Sequence, residues 1–507
     1  MTITDPKGGR HCYLTALEPV SSSAHDPAIE ATEEVLRDYG LLSSLEQGYI
    51  SLNSDYGLHA AAARMTWNTA VDPNHSIDRL LKRTINEIPK DYSVTIYEQF
   101  EKTIEFAKNA KHCLSKKTLR GESAELFPSL NCFLQSKSLQ PIPTWTTVRF
   151  RSLATVVDAI SNAKDALVEL EKADDNPNQR FLNSRPSFRF IGPLQDMIQK
   201  AFMPVINFAD SEKNQQNGDL ISIYESLLNW ACIVSDTNNY SIELKKCLVS
   251  AVMEQITGGQ FVFNNEVRGS MVKDRLLPNE LVAIYGCPPR KKCRLEKVRF
   301  ILKKGGFQKE AEIILQYVDN ENLKAKAVDQ IKRYDSLLNP EPENASNNES
   351  PMHSGTESSE LSDEEPSRRS NLNPTSIPNF HSSIEDELKR YDADSGEGSY
   401  EDFKRFAKEL NWDFRKSAQG FIQQNANLMT YWKSKQPFFP KLAKIMLFVL
   451  RTPCSSSPLE RFFSSITLHT SEHAANRTTE YIEQINQISP KNDEFFTVMN
   501  ELFAKYQ

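Results

Sequence analysis

Apolar residues recur along this chain with two different periods. The change from one to the other divides it. Thr2-Ile3-Thr4 reads as a stub of strand stopping at Asp5, and Cys12 to Val20 alternates as a second strand. Asp26-Pro27 then opens a helix that Gly40 closes. Asp26 is the cap, Pro27 takes the first turn, and Ile29, Val35, Leu36 and Tyr39 form the apolar side. Gln47 to Asn53 predicts a short buried strand through Tyr49, Ile50 and Leu52, running into Ser54-Asp55-Tyr56-Gly57. An Ala-rich helix follows from Leu58 to Trp67. Another runs from about His75 to Asn86 with Ile77, Leu80, Leu81 and Ile85 on one face. The order strand, strand, helix, strand, helix is an α/β pattern with an acidic residue at the end of two strands. Loops converge over strand ends in such sheets, and ligands and metals collect there.

From about residue 93 to 335 the period is helical almost throughout. Tyr97 to Leu114, Ser152 to Ala173, Leu194 to Phe208, Leu220 to Val234 and Ile242 to Ile256 read as amphipathic helices. Gln308 to Leu338 reads as one long charged helix. No strand signal of comparable strength interrupts this block. Its main basic cluster is Arg290, Lys291, Lys292 and Arg294, with Lys297, Arg299, Lys303 and Lys304 close behind. Residues 339 to 378 are dominated by Pro, Asn, Ser and Glu and predict a disordered acidic spacer, because they cannot bury enough apolar surface to order themselves.

Structure resumes at His381, and the densest pattern lies near the end. Tyr431-Trp432 leads to Phe439-Pro440-Lys441-Leu442-Ala443 and an apolar run, Ile445 to Leu450, that stops at Pro453. After a serine cluster, Ser457 is a good N-cap, Pro458 suits the first helical position, and Glu460 sits three residues after the cap. Leu459, Phe462, Phe463 and Ile466 fall on one face of that helix. A last helix, Thr478 to Ile488, carries Tyr481, Ile482, Ile485 and Ile488. Excess apolar surface on terminal helices is what a dimer interface needs; packing within the same chain is the other outcome, and the two are compatible.

Composition narrows the classes. The chain has 507 residues, 39% hydrophobic and 25% charged, so most of it can fold into two to four domains or one interrupted domain. Its net charge is -7, so a nucleic-acid contact would have to come from local basic patches rather than a global field. No apolar run approaches the length of a membrane span, and Met1 to Pro6 lacks the pattern of a secretory signal. The chain is expected inside the cell, in the nucleus or the cytosol. Its eight cysteines form no CxxC, which argues against a zinc finger and a disulfide framework and for buried reduced thiols.

The C-terminal stretch resembles the dimerisation region of hAT-type transposases. The resemblance rests on Tyr431-Trp432, Pro440-Lys441-Leu442-Ala443, Ser455 to Ser464 with Glu460-Arg461-Phe462-Phe463-Ser464, and Arg477 with Tyr481 to Asn492. Upstream, Ser54-Asp55-Tyr56-Gly57 before Ala60 to Ala63 is similar to the family's second catalytic aspartate. Asp72-Pro73-Asn74-His75 stands where the family has C-x-x-H, with the His kept and the Cys absent. Val148-Arg149-Phe150-Arg151-Ser152 resembles T-R-W-x-S, with Val148 for Thr and Phe150 for Trp. Asp5 stands for the first aspartate, without the Gly-Trp expected after it.

The resemblance implies an RNase H-like α/β core interrupted by a large helical insertion, mostly helical overall. Residues 1–92 would begin the core, 93–338 form the insertion, 339–380 the linker, and 381–507 the dimerisation region that completes the core. It implies Asp5, Asp55 and Glu460 as catalytic, metal-binding carboxylates able to hold Mg²⁺ for phosphoryl transfer on DNA. Arg149 and Phe150 would handle a DNA base, and Arg290, Lys291 and Lys292 would touch phosphates. Trp432, Leu442, Leu447, Phe462, Phe463, Ile482 and Ile485 would form the contact in a homodimer or higher oligomer. Each assignment has a plainer counterpart: turn or capping acids, core aromatics, a solvated helix face. The departures from the family pattern point to a degenerate, truncated or domesticated copy that self-associates and binds double-stranded DNA, with catalysis lost. The alternatives are an active Mg²⁺-dependent DNA transposase or nuclease of the DDE type, and a helical scaffold without DNA contact.

Overall fold

The computed structural model describes residues 2–4, 10–12, 25–38, 40–46, 52–54, 69–111, 129–145, 150–172, 182, 184–209, 218–233, 238–259, 261–263, 266–268, 276, 278–287, 295–320, 322–339, 382–394 and 428–452. In chain order these form β1 (Thr2–Thr4), β2 (Arg10–Cys12), α1 (His25–Asp38), α2 (Leu42–Glu46), β3 (Leu52–Ser54) and β4 (Thr69–Val71). Then come α3 (Pro73–Lys82), a π turn (Arg83–Glu87), α4 (Ile88–Tyr92), α5 (Val94–Asn109), α6 (Leu130–Ser136), α7 (Phe150–Asn162) and α8 (Lys164–Lys172). They are followed by α9 (Phe188–Met197), a second π turn (Ile198–Phe202), α10 (Met203–Ala209), α11 (Asp219–Ile233), α12 (Asn239–Thr257), β5 (Phe261–Phe263) and β6 (Glu266–Arg268). The last are α13 (Pro278–Tyr285), α14 (Glu296–Lys304), α15 (Gln308–Asn320), α16 (Leu323–Leu338), α17 (Ile384–Asp394), α18 (428–435) and α19 (Pro440–Arg451).

The described protein is mostly helical, with three two-stranded ladders. β1 and β2 pair antiparallel, and β3 and β4 pair parallel with Leu52 opposite Thr69 and Ser54 opposite Val71. A parallel pair needs a crossover of a dozen residues or more, which the sequence from 55 to 68 supplies. The residues that follow β1, β3 and β4 in sequence are all aspartates: Asp5, Asp55 and Asp72. Asp72 is buried and caps α3, its carboxylate accepting the N–H of Asn74 at 2.8 Å with Pro73 in the first turn. Ile77, Leu80, Leu81 and Ile85 are all buried on the face that their spacing predicts.

α12 is the centre of the helical body. Asn238 caps it by accepting the N–H of Ser241 at 3.0 Å, and Gly258 ends it in the left-handed conformation that glycine adopts without steric cost. Almost every side chain from Leu244 to Thr257 is buried, against α3, the first π turn, α9, α11 and α15. Glu254 on α12 accepts from both Nε and Nη2 of Arg83 in that π turn, and Arg83 also meets Glu87 at 2.7 Å. Thr84 donates its hydroxyl back to Leu80 O at 2.7 Å, a side-chain bond that loosens the helical ladder where the π turn inserts its extra residue.

Three local readings need correction. The helical block does contain strands: β5 and β6 form a hairpin with Val262 opposite Val267. The long charged helix is two, α15 and α16, with Asn322 between them at φ +47°, a conformation asparagine tolerates better than most residues. The segment from Ser152 is likewise divided at Ala163, though the Ala163 N–H still reaches Ala159 O at 3.0 Å.

One apolar core runs from Ile77 to Leu450. Its C-terminal part is built by α13, α16, α17, α18 and α19. Both α13 and α16 lie within 93–338, so side chains of the block read as an insertion pack directly against residues 428–452.

Candidate dimerisation region

The described part of the C-terminal stretch is organised on α19. Pro440 takes its first position, where the missing N–H costs nothing, and Thr452 leaves the helix extended (φ -61°, ψ 123°) because Pro453 follows. Leu442, Ala443, Ile445, Met446, Leu447, Val449 and Leu450 are buried. The residue before the helix is Phe439, which has no side chain able to cap it.

That cap comes from another helix. Glu387 of α17 is fully buried and accepts the Leu442 N–H at 2.8 Å and the Lys441 N–H at 3.3 Å. With Pro440 lacking an N–H and the Ala443 N–H bonded to Phe439 O at 2.8 Å, every amide of the first turn has a partner. Ser382 donates to the same carboxylate at 3.1 Å. A negative charge at a helix N-terminus is also favoured by the aligned peptide dipoles. Lys444 does the converse on α16, donating to Leu338 O and to Asn339 Oδ1 (3.2 Å) at that helix's C-terminal end.

Trp432 on α18 fills the centre. It is fully buried, and its indole N–H donates to Gly286 O at 2.8 Å. A Cβ at Gly286 would lie 2.3 Å from Met446 Sδ, so the methionine side chain would have to move to admit one. The Tyr391 ring lies 5.2 Å from Trp432, 5.5 Å from Tyr285 and 5.9 Å from Phe439, and its hydroxyl donates to Tyr285 O at 3.2 Å. Tyr285 donates to Asp392 at 2.9 Å, and Lys324 reaches the other oxygen of that carboxylate. Burial pushes the Tyr391 phenol well above its ordinary range, and burial with the Asp392 charge does the same to Tyr285. Both stay neutral donors. Tyr334 meets Phe448 edge-to-face at 5.3 Å.

One aromatic faces the other way. Phe438, in the turn between α18 and α19, is 63% exposed. The Lys435 ammonium lies 5.8 Å from its ring and 5.5 Å from that of Tyr431.

Of the residues assigned to a dimer contact, Trp432, Leu442 and Leu447 are buried against their own chain. Apolar spacing reports that a face is covered, not which chain covers it. Phe462, Phe463, Ile482 and Ile485 lie outside the described residues, as do Asp5, Asp55 and Glu460, and so do Arg149, Arg290, Lys291 and Lys292. The strand from 13 to 20, the Ala-rich helix, the 340–378 part of the spacer and the helices after Pro453 lie outside them too. Phe150 begins α7. Of the later basic residues, Lys303 meets Glu312 at 3.7 Å. Trp145, half-buried, packs edge-to-face on the core residue Phe100 at 5.6 Å. Among the described residues no group of His, Cys, Asp and Glu could hold a metal ion, and no helix is long and apolar enough to cross a membrane.

Sequence reasoning passed over Tyr285, Gly286, Glu387 and Tyr391. Nothing local marks them, because their partners are 54 to 146 residues away for Glu387 with Lys441 and Gly286 with Trp432 respectively.

Comparison with known families bears on the same segment. Residues 402–490 match the hAT family C-terminal dimerisation region. The chain is related to the hAT family of transposases. The match begins upstream of Trp432 and extends past Pro453, so it contains α18 and α19 whole. No curated protein matches the chain. As a hAT-related protein it carries a region whose family role is self-association, and α18 and α19 are the part of that region whose packing is described.

Proposed function

We propose that this protein is a transposase-derived, DNA-binding oligomer that has lost catalysis. The carrying observation is the family match over 402–490, with Trp432 and Pro440 to Ala443 inside it. Self-association through this region is the function the match supports directly. DNA contact is inferred from the local basic residues, with Arg149, Arg290, Lys291 and Lys292 as the candidates, and work on DNA would place the protein in the nucleus. An RNase H-like core is inferred for residues 1–92. The parallel β3–β4 ladder, closed by a crossover and followed on both strands by an aspartate, favours it.

Loss of catalysis is inferred from the departures in sequence: Phe150 where the family has Trp, Asp72 where it has Cys, and no Gly-Trp after Asp5. The strand-end aspartates Asp5 and Asp55 favour a second reading, in which Asp5, Asp55 and Glu460 hold Mg²⁺ and the protein cleaves DNA. Two measurements on the full chain separate these readings. Sedimentation at micromolar concentration tests self-association, and a monomer refutes it. Incubation of supercoiled DNA with Mg²⁺ tests catalysis. Nicking that disappears in both Asp55→Asn and Glu460→Gln establishes the second reading, and no nicking supports the first. Duplex binding that weakens steeply with salt supports DNA contact, and its absence leaves a helical scaffold.

A further inference from the structure

The two π turns among the described residues share one arrangement. Residues Pro73–Tyr92 run as α3, the first π turn and α4 without a break, and Phe188–Ala209 run as α9, the second π turn and α10. Arg83–Glu87 is followed by Ile88-Pro89, and Ile198–Phe202 is followed by Met203-Pro204. In both, a proline stands second after the π turn. The residue before it closes the wide turn: the Ile88 N–H donates to Arg83 O and the Met203 N–H to Ile198 O, five residues back rather than four.

A proline inside a regular α-helix offers no N–H to the carbonyl four residues earlier, and its ring strikes that carbonyl. For Pro89 the carbonyl belongs to Ile85 and for Pro204 to Lys200, the third residue of each π turn. The extra residue widens the helix at that point and relieves the clash. Pro193 in α9 shows the other solution. The carbonyl four residues before it, Arg189 O, lies in the first turn of α9 and accepts from Asn238 Nδ2 at 3.0 Å, and α9 stays regular around it.

One extra residue turns everything on one side of it by about 100° around the helix axis and shifts it by about 1.5 Å. The first π turn is anchored on α12, where Arg83 Nε donates to Glu254 at 2.7 Å, and the second packs on α11. What the extra residues set is therefore the phase of the outer helix ends, and those ends meet. Asn74 Nδ2, in the first turn of α3, donates at 3.3 Å to the carbonyl of Ala209, the last residue of α10. Asp72, which follows β4, caps α3 through the same Asn74. Removing either extra residue would swing one of these ends away from the other.

We infer that Pro89 and Pro204 hold their helices in a register one residue longer than a regular α-helix, and that this register sets where Asp72, at the end of β4, stands on the helical body. The inference holds whether or not the protein cleaves DNA. The experiment uses the full chain with Pro89→Ala and, as the control, Pro193→Ala. Crystal structures read the turn directly, and urea unfolding reads its reach through the cost of Asn74→Ala in each background. In the wild type Asn74→Ala lowers the folding constant by roughly fivefold, as expected for one hydrogen bond. The expected result for Pro89→Ala is a regular turn over 83–87, with the Ile88 N–H on Thr84 O, and no remaining cost of Asn74→Ala. Pro193→Ala keeps both π turns and the full cost. A π turn that persists in Pro89→Ala shows that packing rather than proline holds it, and the inference fails. A regular turn with the Asn74→Ala cost unchanged breaks the link to Asp72 and overturns it as well. Pro204→Ala, read over 198–202 in the same way, gives the same decision if Pro89→Ala does not fold.

Discussion

Replacing Glu387 by alanine removes the only side-chain acceptor described at the first turn of α19. The Leu442 N–H is left buried without a partner, and the half-buried Lys441 N–H keeps only partial access to water. An unsatisfied buried donor costs about 1–3 kcal/mol, so the two together cost roughly 2–4 kcal/mol. The loss is local, because the rest of α19 is held by its apolar face. Hydrogen exchange followed by mass spectrometry reads it directly. Amides in the first turn of α19 should exchange about 30- to 700-fold faster than in the wild type, at a factor of ten for about 1.4 kcal/mol. Peptides from α12 serve as the internal reference. Glu387→Gln keeps one carbonyl acceptor for Leu442 and should show about half of the effect in kcal/mol. Unchanged exchange over 440–446 in the alanine variant would refute the argument that this carboxylate caps the helix. Acceleration spread equally over α12 would show that the cost is global rather than at the cap.

Four further outcomes follow from the packing of the chain. Gly286→Ala forces a Cβ against Met446 Sδ and should cost about 1–3 kcal/mol in urea unfolding; Met446→Ala in the same chain should recover part of that, seen as a coupling in the double-mutant cycle. Leu447→Glu places a charge in the core and should lower the melting temperature sharply, with a cost above about 3 kcal/mol, whereas a pure contact residue would change only the oligomeric state. The Cys232 thiol is pushed up to about 11, mainly by burial, and should react with iodoacetamide far more slowly at pH 8 in the folded protein than in urea. The same shift has a defined sign for stability. A thiol raised in the folded state contributes fully below its unfolded value of 9.0, and that contribution is lost as pH rises towards 11; melting temperature should fall over that interval, and less so in Cys232→Ser.

The parts legible from sequence were those whose signal is local. Ile77, Leu80, Leu81 and Ile85 share a face because a helix brings such positions together, and all four are buried. Pro440 and Pro453 bracket α19 because proline fits the first turn and forbids continuation. The β5–β6 hairpin was legible in principle: Phe261-Val262-Phe263 and Glu266-Val267-Arg268 flank Asn264-Asn265, a turn composition, but helical periodicity on both sides obscured it. β4 has three residues, too few for any period to register. The core about Trp432 was not legible at all. Its indole partner is a backbone carbonyl 146 residues away, and the cap of α19 is a glutamate 55 residues upstream of Leu442. Among the assigned site residues, Trp432, Leu442 and Leu447 are buried within their own chain, the packing that the sequence left open beside an interface.

The supply of a cap and an indole acceptor from outside 402–490 makes that segment a poor candidate for independent existence. Cut free of Gly286 and Glu387, Trp432 would lose its indole acceptor and α19 its cap. A fragment spanning only the matched residues should therefore be less stable than the whole protein, and native self-association is to be measured on the full chain. The same dependence acts on inheritance. A rearrangement that carried off 402–490 without 278–394 would transfer the sequence signature of the family without the cap and the indole acceptor that α18 and α19 use here.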